Sequence, residues 1–442
     1  MATLQGFPYF PVEFTKDGTV ADPAQVDVLV AGLTGPACTD LLVISHGWNN
    51  DMDEAQNLYD AFFAQFRQAL GQPNVPAFPP RAFAVLGVLW PSKKFADAHL
   101  IPSGAAGAVS PITLELLAAA LDRLHGTFDA PGADAVLEAA KQLLPYLEDQ
   151  VSARKEFAEK LRSVLPQAET SPDVDAADTF FALPGDELMD HLSKPFPAAL
   201  LAPTAPMGPA AAIGASPVVH LAGLSQFFGG VLAGALNLLN YATYYQMKER
   251  AGSVGRLGVH AVLQRVRGAA PIRLHLMGHS FGGRVVTAAA AGPAETPVLP
   301  VSTLTLLQAA FSHYGFSDDY DGTHAGFFRR VVTDRAVAGP VLITHSVRDT
   351  AVGTLYPLAS MLAHQVGAAL GDANDQYGGM GRNGAQKTPE ATEGPLLGPT
   401  SKYAFAGGRI YNLNADNIIQ EHSDICHPEV ANALLQAIGT TK

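Results

Sequence analysis

The sequence has 442 residues, a length that fits two or three domains or one large domain carrying an insertion. Hydrophobic residues make up 48% of the chain, which is ample for a core, and charged residues only 16%. The net charge is −13, and no cluster of Lys and Arg interrupts it. Because phosphate binding needs such clusters, the composition argues against a nucleic-acid partner and predicts a soluble protein.

Two further features concern the cell compartment. The two cysteines, Cys38 and Cys426, form no C-x-x-C pair, so we expect reduced thiols, with a single bridge between them as the alternative. The N-terminal residues lack a basic region followed by an apolar run, and we therefore expect no secretory signal. The compartment stays open, with the cytoplasm as the default.

Short apolar runs rich in Val, Ile and Leu alternate with helical patterns along much of the chain. The predicted strands are 40–45, 82–89, 272–277, 303–307, 341–344 and 409–413. The predicted helices are 26–33, 55–70, 259–266, 355–366 and 430–438. This alternation predicts an α/β fold with a doubly wound, mostly parallel sheet, to which residues 9–14 could add an antiparallel edge strand.

The alternation is interrupted once, and we interpret the interruption as an insertion. Residues 1–92 and 251–442 are predicted to form the core, and residues 93–250 a mainly helical cap or lid over the sheet. Within the insertion, helical periodicity marks 112–124, 133–147 and 153–165, whereas 167–217 is rich in Pro, Ala and Asp and predicts a loose segment.

Two other segments have open interpretations. The apolar run 218–239 could be a buried core helix, an apolar lid facing substrate or a lipid surface, or a membrane span. Strands of one sheet are predicted on both sides of it, which disfavours the span. Residues 371–403 are rich in Gly, Asn and Pro and predict a long surface loop.

One heptapeptide carries the pattern G-x-S-x-G between a strand pattern and a helical run of small residues; it reads Met277-Gly278-His279-Ser280-Phe281-Gly282-Gly283. The context predicts a strand, a sharp turn and a helix, with Ser280 pushed clear of the backbone. Gly278 and Gly282 would allow the close approach of strand and helix. The helix N-terminus would favour negative charge beside the serine during acyl transfer. Ser280 is the candidate nucleophile, and His279 is expected to shape the turn.

An activated serine also needs oxyanion donors, and these are expected at the carboxyl end of a neighbouring strand. His46-Gly47-Trp48 directly follows the strand 40–45. Gly47 allows the backbone to turn, so the N–H groups of Trp48 and Phe281 are the candidate donors. An ordinary turn is the alternative.

An acid and a base complete such a site, and each has competitors. Asp349 follows the strand 341–344 and could hold an imidazole or simply cap a helix; Asp318 and Asp319 compete for the role of the acid. His422 lies on the loop after the strand 409–413 and is favoured as the base. Its competitor His427 precedes a proline and fits a helix start.

The order Ser280, Asp349, His422 is the order used by α/β-hydrolases. Together with His46-Gly47 and the Gly278 to Gly283 elbow, it makes the chain resemble an α/β-hydrolase of the serine esterase and lipase type. The resemblance does not extend to the insertion, where such enzymes carry the lid that decides the substrate.

The leading hypothesis is a serine carboxylester hydrolase acting on hydrophobic esters or lipids, with transient lipid-surface contact through the cap. An amidase or peptidase with the same triad, and a non-catalytic binding protein of this fold, stay open. No H-x-H or H-E-x-x-H pattern occurs, and we expect neither a metal nor another cofactor. The sequence does not fix the oligomeric state.

Overall fold

The computed structural model describes residues 2–34, 38–48, 50–75, 81–92, 113–166, 177–194, 230–349 and 377–441. The helix predicted at 355–366 lies outside the described residues, as do residues 218–229 of the apolar run and residues 371–376 of the predicted loop.

Nine strands of the described residues form one sheet with the order β1-β2-β4-β3-β5-β6-β7-β9-β8. They are β1 (Ala2–Leu4), β2 (Phe7–Glu13), β3 (Asp40–Ser45), β4 (Phe83–Leu89), β5 (Arg273–His279), β6 (Thr303–Leu307), β7 (Val341–His345), β8 (Ala391–Pro395) and β9 (Ile410–Asn414). Every neighbouring pair is parallel except β1 and β2. The predicted α/β architecture with a mostly parallel sheet is confirmed.

The helices, like the strands, are numbered in chain order. Those before the insertion and within it are α1 (Pro23–Leu33), α2 (Met52–Leu70), α3 (Leu114–Arg123), α4 (Ala133–Lys141), α5 (Val151–Ser163), α6 (Ala177–Ala182), α7 (Gly185–Leu192) and α8 (Val231–Ser253). Those after it are α9 (His260–Ala269), α10 (Phe281–Ala291), α11 (Arg329–Thr333), α12 (Met380–Asn383) and α13 (Pro428–Gly439). A π-helical turn, Val254–Val259, joins α8 to α9.

Helices cover both faces of the sheet, because its strands are apolar on both sides. Along β3, Leu41 and Val43 face a cluster that includes α1, α9 and α10, whereas Leu42 and Ile44 face a cluster formed with α2 and α13. The alternation follows from the period of two in a strand. The sheet is therefore buried on both faces, as its continuous apolar runs predict.

The first edge of the sheet corrects one prediction. Residues 9–14 are not an antiparallel edge strand: β2 runs parallel to β4, and the antiparallel edge is Ala2–Leu4. A tight turn at Gln5 and Gly6, with φ of 47° and 79°, reverses the chain between the two strands. Positive φ at both central residues is the geometry of a type I′ hairpin turn. The sequence predicts such a turn only weakly when the first of the two residues is a glutamine.

The second edge corrects another prediction. The segment 371–403, predicted as a surface loop, contains α12 and the edge strand β8. The β8 sequence Ala-Thr-Glu-Gly-Pro has little strand propensity, and its side chains are exposed or half-buried. Pairing with β9, rather than burial, makes it a strand.

The strand order brings the ends of β3 and β5 together in the middle of the sheet. The chain passes from β3 to β4 on one side and then crosses back to β5 on the other, with Ser45 opposite Gly278. Such a reversal leaves a crevice at the carboxyl ends of the two strands, where ligands bind in open α/β sheets.

The described part of the insertion is helical and has an apolar cluster of its own. The cluster joins α3, α5, α7 and the first half of α8, and Tyr314 and Tyr377 of the core pack against it. The predicted loose segment 167–217 contains α6 and α7. Helix α8 continues through position 250, where we placed the end of the insertion, and carries Tyr244 and Met247 into the cluster beside the sheet.

The apolar run ends in α8, whose side chains from Ala233 to Leu239 are buried. For this described part the structure confirms a buried helix. None of the described helices has the length and apolar character needed to cross a membrane.

A polar network closes the opposite end of the same two strands. The Asp40 carboxylate is fully buried and lies 3.3 Å from Arg81, 3.4 Å from Arg273 and 3.0 Å from Nε2 of His275. Burial alone would raise the pKa of Asp40, but hydrogen bonds from His275 and Thr39 and the charge of Arg81 outweigh it and lower the pKa. Asp40 is therefore ionised in the folded protein at neutral pH, and its charge is part of a network that stabilises the fold.

Asp40→Asn is expected to lower the free energy of unfolding at neutral pH by about 3–5 kcal/mol, because it removes the buried negative charge that pairs with Arg81 and Arg273. Because the folded pKa of Asp40 is lowered, this stabilisation is present above the ordinary value of 3.8 and is lost as the pH falls below it. Urea unfolding across this range should show the difference between the two proteins shrinking toward low pH.

Asp27→Asn is the matched control, since Asp27 pairs with Arg265 at the exposed surface and should change stability by less than about 1 kcal/mol. A difference between Asp40→Asn and the original protein that stayed constant at acid pH would contradict this account of the network.

Candidate active site

The turn between β5 and α10 places Ser280 in a strained conformation. Its φ is 56° and its ψ −127°, outside the regions that residues with a Cβ ordinarily adopt. A Cβ on Gly278 would come within 2.2 Å of the Gly282 carbonyl oxygen, and one on Gly282 within 2.1 Å of the Ser45 oxygen. Strand and helix therefore approach too closely for any side chain at the two glycines, as the motif predicts.

The exit of β3 packs directly on the serine. A Cβ on Gly47 would lie 2.5 Å from Cβ of Ser280 and 3.0 Å from its Oγ. Trp48 follows Gly47 in the chain, and its ring lies 6.2 Å from the ring of Phe281, measured between centroids. Phe281 begins α10, so its N–H is one of the first four in the helix, which have no partner within the helix. The structure thus brings together the two residues predicted to supply oxyanion donors.

His46 is held inside the protein beneath this turn. Its Nδ1 donates to the Gly47 oxygen at 2.9 Å, and its Nε2 accepts from the Trp90 amide at 3.2 Å. Burial lowers the pKa of His46 to about 4, against a smaller opposing effect of the Gly47 bond. This histidine is neutral at physiological pH and fixes the path of the Gly47 backbone.

The loop after β9 and the turn after β7 bring His422 and Asp349 together. Nδ1 of His422 lies 2.8 Å from Oδ2 of Asp349. The carboxylate is fully buried, whereas 19% of the imidazole surface is exposed. Because a carboxylate oxygen accepts, this contact favours the imidazole tautomer that carries its proton on Nδ1, in which Nε2 is the acceptor.

The competing residues lie elsewhere. Asp318 and Asp319 are exposed and accept hydrogen bonds from backbone N–H groups of their own loop. His427 occupies the N-cap position of α13, and its Nε2 lies 2.7 Å from Asp424. The structure therefore pairs the favoured acid with the favoured base.

His279, next to the serine, connects the turn to the histidine loop. Its Nε2 donates to the backbone oxygen of His422 at 2.8 Å, and the two rings lie 4.8 Å apart between centroids. Burial, together with the neighbouring His422, lowers the pKa of His279 to about 3. A neutral His279 thus holds the loop that carries His422.

One residue of this region escaped the sequence prediction. Gln308, directly after β6, is fully buried, and its Nε2 lies 3.3 Å from Oδ2 of Asp349. The sequence offered only its place after a predicted strand, since a lone glutamine there has no motif to mark it.

Two other groups could carry chemistry but are arranged against it. Burial and Asp424 raise the pKa of Cys426 to about 11, so its thiol stays protonated at neutral pH. The potential ligand atoms of Asp122, His125 and Glu138 lie within 4.8 Å of one another on the surface of the insertion. The ammonium of Lys141 bonds to Asp122, so a protein cation already pairs with one of the two carboxylates.

Comparison of the chain with protein-family models, with curated proteins and with solved structures found no match.

His46 and His279 are expected to remain neutral between about pH 8 and pH 5, because burial lowers both pKa values far below the ordinary 6.5. Their stabilising effect is present above that ordinary value and is lost as the pH falls toward the folded values. Two-bond ¹H–¹⁵N spectra of the imidazoles across a pH series measure this, with His46→Gln and His279→Gln identifying the resonances. A midpoint between about pH 6 and 7 for either ring would contradict the burial assigned to it.

Proposed function

We propose that the chain is a serine hydrolase of the α/β-hydrolase type that cleaves carboxylic esters through an acyl-enzyme. The observation that carries the proposal is the 2.8 Å bond between His422 and the buried Asp349. The bond from His279 to the His422 oxygen ties this pair to the strained strand-to-helix turn of Ser280. Nucleophile, acid and base come from the carboxyl ends of three strands of one sheet, where α/β-hydrolases place them.

In the first half of the reaction Nε2 of His422 takes the proton of Ser280 as Oγ attacks the ester carbonyl carbon. The carbonyl π electrons move to the oxygen, which the N–H groups of Phe281 and Trp48 and the N-terminus of α10 stabilise. When the tetrahedral intermediate collapses, the C–O bond to the alcohol breaks. The leaving alkoxide takes the proton from Nε2, and an acyl-Ser280 ester remains.

In the second half a water molecule gives its proton to Nε2 of His422 and attacks the acyl carbon. Collapse of the second intermediate breaks the bond to Oγ, and Ser280 regains its proton from the histidine. The role of Asp349 is to hold the tautomer that leaves Nε2 unprotonated and to stabilise the imidazolium when it forms. Neither metal nor cofactor takes part in this scheme.

The insertion is proposed to act as the cap that selects the substrate. Arg250 of α8 donates to the oxygen of Pro91, just past β4, at 2.9 Å, and to that of Thr127 in the insertion at 2.7 Å. Gln246, one turn before Arg250 on α8, donates to the carboxylate of Asp129 at 2.9 Å. The Pro91 bond fastens α8 at the carboxyl end of β4, and the other two bonds fasten the segment around Thr127 to α8 within the insertion.

Aromatic side chains favour a hydrophobic acyl group. Tyr244 of α8 lies 5.4 Å from Phe281 between ring centroids, and Phe281 in turn lies 6.2 Å from Trp48. Tyr244 and Phe281 are buried in the core cluster, so among these three rings it is the partly exposed Trp48 that offers apolar surface to a substrate beside the proposed oxyanion donors. An amidase or peptidase would use the same triad, and its substrates are the second arm of the test below.

Ser280→Ala is expected to abolish hydrolysis of p-nitrophenyl esters, because no other group in the scheme supplies the attacking oxygen. Ser317→Ala is the matched control: Ser317 is also buried, and in the part of the chain that the structure describes its hydroxyl has no hydrogen-bond partner. The control should keep the original rate. Undiminished hydrolysis by the Ser280 variant would contradict the mechanism.

A chain-length series of p-nitrophenyl esters, with p-nitroanilides of the same acyl groups, tests the substrate class. We expect kcat/KM to rise with acyl length, since each buried methylene contributes about 0.8 kcal/mol, and we expect esters to be cleaved faster than anilides. A strict preference for acetate would contradict a hydrophobic acyl site, and faster cleavage of the anilides would favour the amidase.

A further inference from the structure

Gln308 holds a backbone conformation that a glutamine rarely adopts. Its φ is 45°, although it carries a side chain, is fully buried and stands directly after β6. Left-handed conformations at residues other than glycine are costly and persist only where the surroundings enforce them. Here the enforcing contact at the backbone is the Gln308 N–H, which donates to Oγ1 of Thr344 on β7 at 3.3 Å.

The side chain of Gln308 reaches the proposed acid. Nε2 donates to the Gly381 oxygen at 2.9 Å and lies 3.3 Å from Oδ2 of Asp349. That carboxylate oxygen is the one that accepts the proton of His422 at 2.8 Å. One oxygen atom therefore receives both the imidazole and the amide.

The same turn also holds the proposed nucleophile. The Ser280 N–H donates to the oxygen of Leu307, and the Ala310 N–H donates to the oxygen of Ser280, both at 3.0 Å. The residues on either side of Gln308 thus lock the serine backbone while Gln308 reaches the acid. Serine and acid are connected through a single short turn.

Packing alone does not explain a glutamine at this position. Its Oε1 is buried without a hydrogen-bond partner among the described residues, which costs free energy that an apolar side chain of similar length would avoid. The unpaired oxygen and the strained backbone are both unfavourable for stability, whereas the amide donor is directed at Asp349. Residues of this kind are concentrated at functional sites.

We propose that Gln308 is a positioning residue that orients the Asp349 carboxylate and, through it, the imidazole of His422. This inference rests on the proposed function, since it assigns Asp349 and His422 their roles in the hydrolase. With the donor in place, Oδ2 accepts from both Nε2 of Gln308 and Nδ1 of His422; without it, this oxygen loses one of the two donors and the Nδ1–H bond weakens.

Gln308→Met tests the proposal, because methionine keeps the length of the side chain and removes the donor. We expect kcat to fall about tenfold to a hundredfold with KM little changed, the loss that follows a misplacement of about 1 Å in a reacting group. The far-downfield proton resonance of His422 Nδ1, identified by its absence in His422→Ala, should broaden or vanish.

The chain supplies a close control in Gln5. It has a φ of 47°, and its Nε2 donates to Asp60 at 2.9 Å, but it lies on the exposed hairpin at the edge of the sheet. Gln5→Met removes an equivalent amide-to-aspartate bond and should leave kcat and the His422 resonance unchanged. If Gln308→Met does not fold, Gln308→Gly removes the same donor and relieves the strained φ.

The resonance separates failure of this inference from failure of the proposed function. If the protein lacks esterase activity but the resonance is lost in the Gln308 variant, the positioning role is supported and the proposed hydrolase function is contradicted. A folded Gln308 variant with an unchanged resonance and unchanged kcat overturns the positioning role while leaving the hydrolase intact.

Discussion

A serine does not hold a φ of 56° without help, and such strain costs about 1–3 kcal/mol. At Ser280 the help comes from three strands. The exit of β6 bonds to its N–H and oxygen at 3.0 Å, and the exit of β3 packs Gly47 against its side chain. Glycines at 278 and 282 let β5 and α10 come close enough for these contacts. The rest of the site depends on this turn, because it decides which strand ends surround the hydroxyl.

The insertion meets the site through a series of aromatic rings. From the proposed oxyanion residues the series passes through Phe281, Tyr244 and Tyr241 to Phe180, with centroids 4.6–6.2 Å apart. Contacts of this kind are stiff, since aromatic pairs have few rotatable bonds and large buried surfaces. Under the proposed function, the described helices of the insertion would therefore shape the acyl site and also keep Phe281 in place. Substrate selection and oxyanion binding would then depend on the same side chains.

Much of this arrangement could be predicted from the sequence because buried parallel strands are continuous apolar runs and site residues follow their ends. All six predicted strands are present, and Asp349 and His422 meet as expected. The edges could not be predicted: β8 is a strand only through pairing, and the direction of β2 depends on an inconspicuous turn. Gln308 could not be predicted either, since its contact with Asp349 joins the ends of different strands. The order of strands, which no local pattern encodes, creates that contact.

The central claim is that Ser280 is an activated nucleophile rather than a structural residue in a ligand-binding protein of the same fold. Reaction of the folded protein with a fluorophosphonate, followed by peptide mass spectrometry, tests it most directly, because such a probe modifies only a serine whose proton a base removes. The account predicts one modified peptide, containing Ser280, and no modification in a His422→Ala variant. A protein that stays unlabelled, or that is labelled at another serine, would contradict it.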